Sequence, residues 1–189
     1  MCSAVNSHFS NRKFSALKEL GVGEFAHLNG NLEEHLLGTY ELLMEWKNPQ
    51  FVCTAGLYHA VYGTQPMKAL GIPHNDYAPS DRAKIRKIIG SRAEALVYLY
   101  GACDRDYLYP QVGSRDCEYR DRFIGAKSVL TPRTLSTLLE ITMANELEIC
   151  RRSQAFMEQH RTWFVDLFDR FNGCVSARAF AEYRSTFAV

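Results

Sequence analysis

The chain has 189 residues, of which 47% are hydrophobic and 23% charged, with a formal net charge of +1. That size supports one domain with a sizeable core. The near-neutral balance gives no electrostatic reason to expect nucleic acid or an anionic membrane as partner. No apolar run approaches the roughly 20 residues needed to span a bilayer, and Met1 to Asn11 is polar without a signal-peptide core. The expected compartment is the cytoplasm.

Helical periodicity dominates, strand-like alternation is almost absent, and there is no internal repeat. The spacing predicts a first helix over Asn11 to Leu20, stopped at Gly21, and a second over Asn31 to Trp46. Asn48-Pro49 marks a boundary, with a third helix from Pro49 to Tyr62. Gly63 to Pro79 reads as a long loop holding His74. A short helix then runs from Ser80-Asp81 to Gly90, and another from Ser91 to about Asp106. Tyr107 to Leu130 reads as a second long irregular stretch, rich in charges of both signs. Thr131-Pro132 opens a long helix to about Arg152, followed by helices over Ser153 to Phe171 and Ser176 to Tyr183. The fold class expected is all-α: a single helical domain with two long loops, which in compact domains are often functional.

The six cysteines form no C-x-x-C pair. Cys53, Cys103 and Cys150 sit inside apolar helical patterns and read as small buried residues rather than zinc ligands. More informative are the polar residues that share a face with apolar ones. Leu32, His35, Leu36, Thr39 and Leu43 lie on one side of the second helix, so His35 points inward. Val52, Ala55, Gly56 and His59 do the same on the third. Two inward histidines on consecutive antiparallel helices can meet. Ala93, Leu96, Val97, Tyr100 and Asp104 share a face, with Asp104 at an end where a carboxylate opposes the helix dipole. Leu138, Ile141, Asn145 and Glu148 share another. Histidine with oxygen donors suits iron, manganese or zinc. A hydrogen-bonded core histidine is the plainer reading of either one alone.

The stretch HLLGTYELLMEWKNPQFVCTAGLYHAVYGT, His35 to Thr64, resembles the HD-domain superfamily of helical metal-dependent phosphohydrolases, and most closely the ppGpp-hydrolase domain of RelA/SpoT stringent-response proteins. There a His-bearing helix is followed, at similar spacing, by an A-L-L-H-D-x-x-E-D-T segment, which corresponds here to AGLYHAVYGT. DRAKIRKIIGSRAEALVYLYGACDR, Asp81 to Arg105, and ITMANELEI, Ile141 to Ile149, resemble the family's following helices. The signatures H-L-x-G-T and A-G-L-x-H-x-x-Y-G-T also suggest a small family of their own. The resemblance implies an HD-like helical bundle over about residues 25–150, with residues 153–189 packed on it, and a divalent metal (Fe, Mn or Zn) held by His35 and His59.

The family pattern is degenerate in this chain. Ala60 stands where the family has the aspartate of its HD dyad, Tyr62-Gly63 replaces its Glu-Asp pair, and Asn145 takes the place of its last aspartate. His27, with one of Asp104 or Asn145, would complete the shell. By the same analogy, Tyr62 would donate a hydrogen bond to substrate, and Arg105, Arg115 and Arg122 would hold a phosphate or carboxylate. The function implied is a metal-dependent hydrolase or non-haem iron oxygenase acting on a small anionic or nucleotide-like molecule. The alternatives are a catalytically inactive module that binds such a ligand, and a helical partner-binding protein. For the last, and for a homodimer, FVDLFDRF, Phe164 to Phe171, is the candidate docking face.

Overall fold

The computed structural model describes residues 26–27, 30–63 and 82–189, with the backbone alone for 26, 27, 30 and 31. The helix expected over Asn11 to Leu20 and nearly all of the loop over Gly63 to Pro79 lie outside the described residues. Among those described the fold is mostly helical. A minimal ribbon, β1 (Ala26–His27) with β2 (Gly30–Asn31), leads into α1 (Leu32–Glu45) and α2 (Gln50–Leu57). After them come α3 (Arg82–Ile89), α4 (Ser91–Gly101) and the single turn α5 (Arg105–Leu108). A hairpin, β3 (Glu118–Arg120) with β4 (Lys127–Val129), precedes α6 (Pro132–Arg152), α7 (Gln154–Arg170) and α8 (Ala177–Phe187).

α1 is the hub. It packs against α2 on one side and α6 on the other, while α2 also touches α4 and α6. α1 and α2 run antiparallel, and Gly56 makes their crossing close: a Cβ there would lie 2.3 Å from Leu43 Cδ1. α7 and α8 close the other side of α6. The FVDLFDRF segment is used within the chain. Phe164 stacks on Phe168 at 5.6 Å between ring centroids, and Phe168 meets Tyr183 at 5.3 Å and Phe187 at 6.2 Å. Those apolar residues are therefore core rather than a surface offered to a partner helix.

Three expectations need correcting. The third helix ends at Leu57, and Tyr58 to Tyr62 continue as tight turns, so His59 sits just past a helix end. The helix from Ser91 ends at Gly101, and Asp104 is the N-cap of α5, its side chain accepting from the Tyr107 N–H. The 107–130 stretch is ordered by the β3–β4 hairpin and a bridge between Cys103 and Asp121. Strands of three residues are too short for alternation to register in a sequence. Arg122 ties this hairpin to the bundle, donating from Nε to the Gly101 carbonyl at 2.8 Å and from a terminal nitrogen to the Gly63 carbonyl at 3.1 Å.

Cys53, Cys103 and Cys150 are buried free thiols, each pushed up to about 12 by burial, as befits inert core residues. No described helix is long and apolar enough to cross a membrane. Because Phe168 joins α7 to α8 with no exposed surface, Phe168→Ala is expected to cost about 3–5 kcal/mol, read as a lowered urea midpoint.

Candidate functional site

The first turn of α1, the turn after α2 and the C-terminal half of α6 converge at one end of the bundle. There the rings of His35 and His59 meet edge to face at 5.2 Å. Both are 2% exposed. His35 Nδ1 faces a carboxylate oxygen of Glu148 in a short contact, and its Nε2 lies 3.0 Å from Asn145 Oδ1. His59 Nδ1 is 2.7 Å from the Gly56 carbonyl, to which it donates. The positions singled out at 35, 59 and 145 thus come together from three separate elements.

Hydrogen-bond bookkeeping constrains the centre. Asn145 donates its Nδ2 to Glu146 Oε1 at 2.9 Å, which leaves the amide oxygen turned to His35. With its Nδ1 proton given to Glu148, a neutral His35 ring would set the Nε2 lone pair against that oxygen. Something must then bridge two acceptors 3.0 Å apart: a proton on Nε2, carried by an imidazolium or by a neutral ring whose Nδ1 accepts from a protonated Glu148, or a metal ion. Fixing the Nδ1 proton on a carboxylate or carbonyl is how proteins orient metal-ligating histidines, and both histidines here are held that way. The donor set of two imidazoles and an amide oxygen therefore fits a divalent ion chemically, though weakly, since none of the three carries charge. Among the described residues no group of three or more His, Cys, Asp or Glu side chains is placed to hold a metal.

A polar shell surrounds the pair. His59 meets Tyr100 edge-on at 5.5 Å, and the Arg105 guanidinium lies 4.6 Å from the Tyr100 ring centre. Burial pushes the Glu146 carboxyl above its ordinary value, against the opposing pull of Arg105, His35 and the Asn145 amide. Glu148 also accepts from Arg152, which in turn pairs with Glu34 at 2.6 Å. Of the remaining candidates, Arg105 is the one placed beside the centre. Ala60 is buried and offers no ligand. Asp104 pairs with Arg120 at 2.5 Å and caps α5. Arg122 holds main-chain carbonyls. Arg115 is exposed and lines a separate cavity. The backbone of His27 pairs with Gly30, and its side chain lies outside the described residues.

Tyr62 belongs to a neighbouring cluster. Its hydroxyl donates to Glu94 at 2.9 Å, and Glu94, with no exposed surface, also receives Arg82 through two bonds at 2.5 and 3.1 Å and Arg86 at 3.3 Å. Burial pushes the Glu94 carboxyl up, but Arg82, Tyr62 and Arg86 together outweigh it and hold it below its ordinary value. Arg82 also lies 3.8 Å over the Tyr98 ring, whose hydroxyl donates to Asp121 at 2.9 Å. Sequence reasoning missed Glu94. An acidic residue in a helix's first turn is ordinary, and only the folded chain brings two arginines of the preceding helix onto it.

Two outcomes follow from these contacts. A Cβ on Gly38 would lie 2.7 Å from Glu148 Cγ and 2.8 Å from its Oε1. Gly38→Ala is therefore expected to push Glu148 off His35, at a cost of about 1–3 kcal/mol. The check is a shift of the His35 ring resonances in the variant; unchanged resonances would contradict the geometry. Second, a carboxyl held low in the folded state stabilises above the ordinary glutamate range, about 4.3, and loses that contribution as pH falls below it. The stability gap between wild type and Glu94→Gln should accordingly narrow from pH 7 to pH 3.5 in urea titrations.

Residues 16–105 match the model of a family described as a domain of unknown function (DUF6817), a segment that includes His35, His59, Tyr62 and Glu94 but not Asn145 or Glu148. No curated protein and no solved structure matches the chain. Over that segment the chain is similar to DUF6817, and its histidine centre is completed by α6, outside the match.

Proposed function

We propose that the His35–His59–Asn145 centre binds a divalent metal, and that the protein is a metal-dependent enzyme of HD type acting on a small anionic substrate. The observation that carries this is the pair of facing acceptors, His35 Nε2 and Asn145 Oδ1, with both histidines held through Nδ1. The coming together of positions 35, 59 and 145 further supports the resemblance to the HD superfamily. His35, His59 and Asn145 would hold the ion, with Glu148 and the Gly56 carbonyl fixing the rings. A divalent ion there supplies Lewis acidity and a point of attachment for a negatively charged group. Two imidazoles and an amide contribute no charge, so the ion keeps its full positive charge. That favours a phosphate or carboxylate ligand, with Arg105 adding a second positive charge beside the centre. Iron with oxygen consumption would make the protein an oxygenase, and manganese or zinc with phosphate release a hydrolase.

A second reading has a specific observation behind it. Ala60 and Asn145 remove two metal-binding carboxylates of the family pattern, and a proton satisfies the facing acceptors as well as a metal does. In that case the buried imidazolium–glutamate pair belongs to a metal-free module that binds a small anion.

Metal analysis separates the two. Protein purified without chelator and reconstituted with Fe²⁺, Mn²⁺ or Zn²⁺ is expected to hold about one ion per chain, lost in His35→Ala and His59→Ala. Asn145→Asp, which restores a charged ligand, should tighten binding by about tenfold or more. Folded wild-type protein that takes up none of the three ions would refute the metal reading and leave the anion-binding module.

A further inference from the structure

The opposite end of the bundle carries a second chemistry. A cavity of about 500 Å³ opens between the start of α2, the start of α6, the 113–117 segment and the turn between α7 and α8. That volume lies in the range of small-molecule sites. Its wall includes Glu140, which is 3% exposed. Glu140 accepts from the Asn48 side-chain amide at 3.0 Å and, in a short contact, from the Ser176 N–H. Each carboxylate oxygen thus has one neutral donor, and a carboxylate can accept about four hydrogen bonds. Among the described residues no arginine, lysine or histidine forms an ion pair with Glu140. A buried charge without a counter-charge is costly, and this one borders a space large enough to admit one. The same cavity is lined by two exposed arginines, Arg115 and Arg133, and by the apolar faces of Phe51 and Val52.

We infer that this cavity is a binding site for a small zwitterion. An ammonium or guanidinium group would lie against Glu140, a short aliphatic stem along Phe51 and Val52, and a carboxylate toward Arg115 and Arg133. The reading explains why the cavity combines one buried negative charge with two exposed positive ones. It does not depend on the histidine centre. Glu140 and Glu148 are eight residues apart on α6, about 12 Å along the helix, and His35 lies in the first turn of α1 while Asn48 lies just past its C-terminal end.

Calorimetric titration of the full chain tests it. The probes are L-lysine and L-arginine, with cadaverine and agmatine as the matching amines that lack the carboxylate. Lysine or arginine is expected to bind at millimolar or lower concentration, and its amine at least fivefold more weakly. Arg133→Ala should remove that preference. Glu140→Gln should weaken the amino acid at least tenfold. Ser136→Trp, which fills the cavity from its α6 wall, should abolish binding. If Glu140→Gln fails to fold because Asn48 and Ser176 lose an acceptor, Ser136→Trp and Arg133→Ala still decide. No heat with any of the four probes at 10 mM would overturn the assignment. So would amines binding as tightly as amino acids, or affinities unchanged in Ser136→Trp.

Discussion

The contact between His35 and Glu148 is the constraint around which the bundle is arranged. An imidazole and a carboxylate, both buried, must find each other or the fold loses the cost of two desolvated polar groups. Their meeting requires α1 and α6 to approach closely, which Gly38 permits by leaving room for the Glu148 side chain. Glu148 also receives Arg152, so the carboxylate has a partner toward solvent as well as toward the core. Asn145, one turn earlier on α6, then has its amide turned by Glu146 so that its oxygen meets the other ring nitrogen of His35. His59 is held at the centre from a third direction by its own helix end, through the Gly56 carbonyl. The glycine at 56 serves twice, because its missing side chain admits Leu43 and its carbonyl orients the histidine.

How much of this could be read without coordinates depended on the kind of signal each residue leaves. His35 and His59 fall at helical spacing from leucine, valine and alanine, so their inward placement is a matter of period. Asn145 and Glu148, three residues apart on an apolar seam, carry the same signal, and Asn145's need for a partner was legible while the identity of that partner was not. The residues that escaped have roles set by tertiary approach. Glu94 looks like an ordinary first-turn acid until Arg82 and Arg86 fold over it. Arg122 looks like an anion binder in a charged loop, and instead its guanidinium spans two main-chain carbonyls from separate segments. Arg115 lies in the stretch expected to serve the site, but its segment, 113–117, lines the separate cavity instead. Charge alone says that a side chain has donors to place; it does not say where the chain will bring it.

The histidine centre and the Glu140 contacts both join α6 to α1 or to the turn that follows α1, and that has a structural consequence. At one end α1 offers His35 to Glu148 and Asn145; past its other end Asn48 donates to Glu140. Apolar ridges tolerate sliding, since leucine packs against leucine in more than one register. Polar pins do not. Displacing α6 along α1 by one helical turn, about 5.4 Å, would break the contacts at both ends at once and cost Glu148 its His35 partner and Glu140 its Asn48 donor. The pins therefore select one register out of several that hydrophobic burial alone would permit, the best-attested use of buried polar groups. The same register that satisfies Glu148 and Glu140 also presents the histidine centre at one end and the cavity at the other, so the groups that fix the register also border the two candidate sites.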